Sequence, residues 1–252
     1  MVNISQIKSQ AKVSLRGKLG NAIGAFLVYV LVKTAASLIP LGNIFIGGPL
    51  TIGIVLYFLF LAQGKEVTVG DIFKPFNFYG NALLTYFLNL IVILLSVVPL
   101  ILYILIWGLS NSAALDADMI SAGKIIGFII TLLILYLIPF YVGIRLAFMF
   151  YIVADNPGVP ADKALEISWK MMKHHIWDYI VLLLSFILWF LLSIITLGIA
   201  LLWVAPFFST SISHFYLELK KLYPEYAQMI DSYGRVETDN PQINSVYLNE
   251  GE

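Results

Sequence analysis

DNPGVPADKALEISWKMMKHHIWD, residues 155–178, is the longest polar interval between the apolar runs that make up most of this chain. Its first four residues, Asp155-Asn156-Pro157-Gly158, have the composition of a turn. Pro160 suits the first position of a helix, and Asp162 suits a helix's positive end. From there Ala161, Ala164, Leu165, Ser168, Trp169, Met172 and Ile176 fall on one face, and Lys163, Glu166, Lys170, Lys173 and His174 on the other. That period is helical and strongly amphipathic. Residues 160–175 therefore read as a helix lying in a membrane interface, and the flanking sequence reads as membrane spans.

Composition supports lipid as the solvent. The 252 residues are 60% hydrophobic and 12% charged, with a mean hydropathy of +0.89. A soluble domain is roughly half apolar and about a quarter charged. The zero formal net charge gives no global field to attract nucleic acid. With no cysteine, disulfides, thiolate metal sites, cysteine nucleophiles and cysteine lipidation are excluded.

Outward from the central stretch, the pattern predicts an all-α polytopic bundle of six transmembrane helices. The spans are expected at about Ala22–Ile39, Ile44–Ala62, Asn81–Trp107, Ile125–Val153, Ile176–Leu197 and Ile199–Leu217. Spans three and four are long, and Pro99 and Pro139 mark where each could kink or break. Gln63–Tyr79 reads as a polar and aromatic loop, Gly108–Lys124 as an outer loop. Residues 3–18 read as a second amphipathic helix, with Ile4, Ile7, Ala11 and Leu15 in one stripe and Lys8, Lys12 and Arg16 beside it, or equally as a positive flank that orients the first span. The membrane domain is expected over 1–218. The tail, 219–252, reads as polar and largely disordered after a short helical continuation.

Orientation follows from the cations. Both termini inside puts Lys8, Lys12, Arg16, Lys18, Lys65, Lys74, Lys163, Lys170, Lys173, Lys220, Lys221 and Arg235 on the cytoplasmic side, leaving Lys124 outside. The spans also pair into three similar hairpins. Gly20-Asn21-Ala22 opens the first, Gly80-Asn81-Ala82 the second, and Asp178 holds the matching place in the third. The returning helices align on Pro49, Pro139 and Pro206; Asn21–Pro49 and Asp178–Pro206 both span 28 residues, Asn81–Pro139 spans 58. Each unit then consists of an interfacial helix, an outgoing span, a turn and a proline-bearing return, repeated about a pseudo-threefold axis.

The segments YIVADNP (151–157), MMKHHIWD (171–178) and SFILWFLLSIITLGIALLWVAP (185–206), with AKVSLRGKLGNAIG and GDIFKPFNFYGNAL, resemble a Gram-positive bacterial integral membrane family labelled domain of unknown function nine-seven-five. The resemblance covers about residues 8–218 and implies a plasma-membrane protein, with no reaction attached. A distant likeness to the membrane domains of some glycerophosphodiester phosphodiesterases implies a lipid context; their hydrolase domain is absent from these residues.

Candidate chemistry gathers at the inner surface. Arg145 is expected to pair with Asp155 or Asp178; Asn156, His174 and His175 lie nearby in sequence, so the polar site is Arg145, Asp155, Asn156, His174, His175 and Asp178. A metal site would need three or four of the histidines and carboxylates to converge, and none is expected, nor any cofactor. Lys8, Lys12, Arg16, Lys170 and Lys173 are expected on lipid headgroups. Asn21, Asn81 and Asn89 are expected to bond between helices. HExxH, GxSxG, Walker A and kinase motifs do not occur. The leading expectation is a non-enzymatic bundle that binds lipid or an apolar ligand, or supports a membrane protein partner, in envelope stress or peptide defence. The alternatives are a transporter of an ion or apolar solute and, third, an intramembrane enzyme.

Overall fold

The structure is a computed structural model that describes residues 2–111 and 122–237. Every regular element among them is helical. The order is α1 (Ile4–Leu15), α2 (Leu19–Ser37), α3 (Gly42–Ala62), a 3-10 helix (Val69–Phe78), α4 (Tyr79–Asn111), α5 (Ala122–Arg145), α6 (Met149–Asp155), α7 (Ala161–Met171), α8 (Ile176–Leu184), α9 (Ile187–Ile195), α10 (Leu201–Leu222) and α11 (Pro224–Glu237). Five stretches are long and apolar enough to cross a membrane: Leu19–Ser37, Gly42–Ala62, Val69–Ser110, Gly123–Asp155 and Ile176–Ile195. The outer loop expected at 108–124 falls mostly on residues 112–121, outside the described residues, as does 238–252 of the tail.

Of the alternatives left open at the prolines, a break is not what the structure has. α4 and α5 run through Pro99 and Pro139 without a break. The return of the second pair is interrupted instead at Leu146–Phe148, between α5 and α6. Span five, expected whole, divides at Ser185–Phe186. There the Ser185 hydroxyl donates back to the Leu182 carbonyl at 2.6 Å, a bond that competes with the helical ladder. Lys8 Nζ donates to the freed Ser185 carbonyl at 3.2 Å. The turns into α3 and α10 each put a leucine in the left-handed region, Leu41 (φ 63°) and Leu197 (φ 50°).

Residues 69–78, expected within a loop, form the 3-10 helix. Thr68 and Asp71 cap it reciprocally, the Thr68 amide donating to Asp71 Oδ2 at 2.6 Å. It lies so close to α3 that a Cβ on Gly53 would collide with the Ile72 carbonyl oxygen. This places a short helix before α4, as α1 precedes α2 and α7 precedes α8.

The core sits where the returning helices meet. α3 is buried from Leu56 to Leu61, and α6 and α10 pack beside it. Phe148, Tyr151, Tyr179, Phe215 and Tyr216 interlock there, with Phe148 stacked on Phe215 at 5.8 Å and Tyr151 against Tyr216 at 5.6 Å. α1 and α7 cover this core. Ile7, Ala11 and Leu15 of α1 and Ala164, Ile167, Ser168 and Met171 of α7 are buried. Their apolar faces are therefore occupied by protein rather than laid on lipid.

Three side chains stitch the units in a ring. Asn21, at the start of α2, donates to the Val67 carbonyl at 2.6 Å, just before the 3-10 helix. Asn81, in the first turn of α4, donates to the Val159 carbonyl at 2.8 Å, just before α7. Asp178, in the first turn of α8, accepts from the Val2 amide at 3.2 Å, just before α1. Val2, Val67 and Val159 each stand two residues ahead of their helix and are buried. The chemistry inverts where it must: an Asn amide gives a proton to a carbonyl, while a carboxylate can only take one from an N–H.

Candidate functional site

Arg145 ends α5 and is 5% exposed. Its backbone carbonyl accepts from the Ser168 hydroxyl at 2.9 Å, which ties α5 to α7. The guanidinium carbon lies 4.6 Å from the Trp169 ring centre and 5.5 Å from that of Tyr141. This is cation–π geometry, and Nε and Nη1 have no hydrogen-bond partner.

The expected ion pair with Asp155 or Asp178 does not form; each carboxylate is bound by other partners. Asp155 Oδ2 accepts from Lys220 Nζ at 2.6 Å and from the Tyr216 hydroxyl at 3.0 Å. Burial alone would lower the Lys220 ammonium; Asp155 and then Asp231 outweigh it and hold it above the ordinary lysine range. Asp178 Oδ2 lies 2.9 Å from His175 Nδ1 and also takes the Val2 amide. Asn156 donates to the Ile230 carbonyl at 2.7 Å and accepts from Gly158 N at 3.1 Å, an Asx turn that holds α11 against the α6–α7 turn.

The polar residues predicted together are thus brought into separate networks. His175 is buried with its ring 5.8 Å from that of Tyr223, while the adjacent His174 is exposed. Among the described residues, no three His, Cys, Asp or Glu side chains converge as a metal would require. His214 pairs instead with the Ser14 hydroxyl at 2.9 Å, joining α10 to α1 beside an open groove of about 520 Å³.

The cations separate the same way. Lys8 points inward to Ser185, its ammonium 4.6 Å from the Phe186 ring, and burial followed by repulsion from Lys12 pushes it below the ordinary lysine range. Lys170 and Lys163 hold the two oxygens of Glu166 at 2.6 and 3.0 Å. Lys12 and Arg16 are exposed and edge a cleft of about 260 Å³ whose floor is Leu15, Leu19, Trp203 and Phe207. Lys173 is exposed just beyond α7.

Sequence reasoning missed the backbone half of each stitch, at Val2, Val67 and Val159, although each precedes a helix start by the same two residues. It also missed the Thr68-x-x-Asp71 capping signal and the glycine contact at Gly53. A family model described as "Protein of unknown function (DUF975)" matches residues 1–223. The chain belongs to that family. The match takes in all three stitched units and ends at the junction of α10 and α11, so the DUF975 region of this chain is the ring itself. No curated protein and no solved structure matches the chain.

Proposed function

We propose that this DUF975 protein is a six-span protein of the cell membrane, with α10 as the sixth crossing and both termini cytoplasmic. It works without catalysis, by holding anionic lipid at the inner surface. The observation that carries this reading is the cleft at the α1–α2 turn. There Lys12 and Arg16 stand above an apolar floor that includes two aromatic rings. A phospholipid needs that combination, a cation for the phosphate and apolar wall for the chain. The concentration of lysine and arginine before α2, after α3 and around α7 supports the orientation.

Juxtamembrane cations contribute roughly 1 kcal/mol each toward anionic lipid. The double variant Lys12→Gln/Arg16→Gln should therefore retain phosphatidylglycerol about thirtyfold less well than wild type in native mass spectrometry from mixed-lipid nanodiscs. Equal retention would remove this reading. Topology has a separate check. The chain has no cysteine, so Ser9→Cys and Ser232→Cys report cleanly, and both should resist a membrane-impermeant maleimide in intact cells.

Transport of an ion or apolar solute is the competing reading. The proline at the same place in each returning helix favours it, since each proline frees a carbonyl at membrane depth. The buried, interlocked rings of Phe148, Tyr151, Tyr179, Phe215 and Tyr216 weigh against it.

A further inference from the structure

The Arg145 guanidinium is a buried charge with donors left over. Buried donors without partners are rare in folded proteins, and each calls for a physical cause. The carboxylates nearest in sequence or on the covering helix are committed: Asp155 to Lys220 and Tyr216, Asp178 to His175 and the Val2 amide, Glu166 to Lys163 and Lys170. Trp169, which covers Arg145, is also a wall of a cavity of about 390 Å³ between α4 and α7. Val92 and Leu165 complete its apolar lining, and Glu166 and Lys170 stand with them. The volume falls in the range of small-molecule sites, roughly 300–1,000 Å³. α4 and α5 carry a run of exposed leucines and isoleucines, so the cavity, walled by Val92 of α4, adjoins an exposed apolar hairpin.

We propose that Arg145 and this cavity form a receptor for an anionic amphiphile, an oxyanion carried on an apolar chain. The chain lies against Val92, Leu165 and Trp169. The half-buried indole turns aside so that the oxyanion reaches the free guanidinium nitrogens through charge-assisted hydrogen bonds. Lys170 adds a second positive charge nearby once Glu166 has been satisfied by Lys163. This deepens the lipid-binding reading above by naming a second site, and it rests on that reading for the presence of lipid at this surface.

The test uses the full-length protein in uncharged detergent with four probes: oleate, phosphatidylglycerol, oleyl alcohol and dioleoylglycerol. Saturable binding of oleate or phosphatidylglycerol, at least about tenfold tighter than the matching uncharged probe, is expected. Oleate alone assigns the site to free fatty acids, and phosphatidylglycerol alone to phospholipid. Arg145→Met should fold, since replacing an unpaired buried charge with an apolar side chain is neutral or stabilising, and it should abolish the preference. Leu165→Trp, which fills the cavity and leaves Arg145 in place, should weaken all binding there by a similar factor. The proposal is overturned if oleyl alcohol binds as tightly as oleate, or if both variants keep the wild-type preference. A preference lost only in Lys12→Gln/Arg16→Gln overturns it too, while leaving the surface reading intact.

Discussion

α3 and α4 are adjacent helices of similar apolar character, yet they use it differently. In the most apolar window of α3, 72% of residues are buried inside the protein; in that of α4, none is. α3 is surrounded by α2, α4, α6, α10 and the 3-10 helix. α5 instead holds chiefly to the outer part of α4, through Trp107 stacked on Phe128 at 4.1 Å and Tyr103 on Phe128 at 5.5 Å. α4 spans 33 residues, about 50 Å at 1.5 Å per residue, well beyond a hydrocarbon core of about 30 Å. Hydropathy is therefore no guide to packing here. What separates the two regions is polar: the base is laced with side-chain bonds to backbone, from Asn21, Asn81, Asn156, Ser168 and Lys18, and the upper hairpin is held by apolar contact.

The sharpest way to break this contrast is at Asn81. Its amide donates to both the Pro157 and Val159 carbonyls at 2.8 Å. Asn81→Ala leaves two buried acceptors unpaired and should cost about 2–4 kcal/mol in thermal or denaturant unfolding. Asn81→Asp should cost more, because it turns a carboxylate toward two carbonyl oxygens. Asp178→Asn is the informative counterpart. Its amide oxygen still accepts from Val2, so the loss should stay under about 1 kcal/mol. Equal damage from the two swaps would mean the ring is not stitched as described. Gly53→Ala follows in size, at about 1–3 kcal/mol, since the added methyl meets the Ile72 carbonyl.

In the hairpin, Leu94→Ala and Leu133→Ala remove side chains 55% and 63% exposed. Each should change unfolding by no more than about 0.5 kcal/mol. The smallest effect lies on α7. Hydrogen bonds from Lys170 and then Lys163 hold the Glu166 carboxyl down at about 2. Because its folded value lies below its ordinary 4.5, its stabilisation is present above that value and is lost as pH falls toward about 2. A small difference between wild type and Glu166→Gln should therefore hold from neutral pH down to about pH 5 and disappear near pH 2.

Much of this architecture was legible before the structure. Hydrophobic runs gave the apolar helices, and helical periodicity gave α1 and α7, because both signals are local. The alignment of Asn21, Asn81 and Asp178 pointed at the repeat, but their partners lie 46, 78 and 176 residues away, and no local pattern reports such a distance. The same limit explains the candidate site. Arg145, Asp155 and Asp178 were grouped because opposite charges near an interface usually pair, whereas the fold supplies Lys220 to one carboxylate and His175 to the other. The faces of α1 and α7 were identified, but amphipathicity states only that a side is apolar. Whether lipid or protein covers it depends on α3, α6 and α10.

The contact from Asp178 to Val2 also sets an order in time. Chains grow at about 5–20 residues per second, so the 176 residues between the two ends of that contact take roughly 9–35 s to synthesise. Through that interval α1 has been made while the carboxylate that closes it, and α10 against which it packs, have not. Its buried stripe of Ile7, Ala11 and Leu15 must wait somewhere, and with Lys8, Lys12 and Arg16 alongside, the membrane surface is the partner chemically suited to hold it. Asp178 and α10, made later, then supply the contacts that close over this stripe.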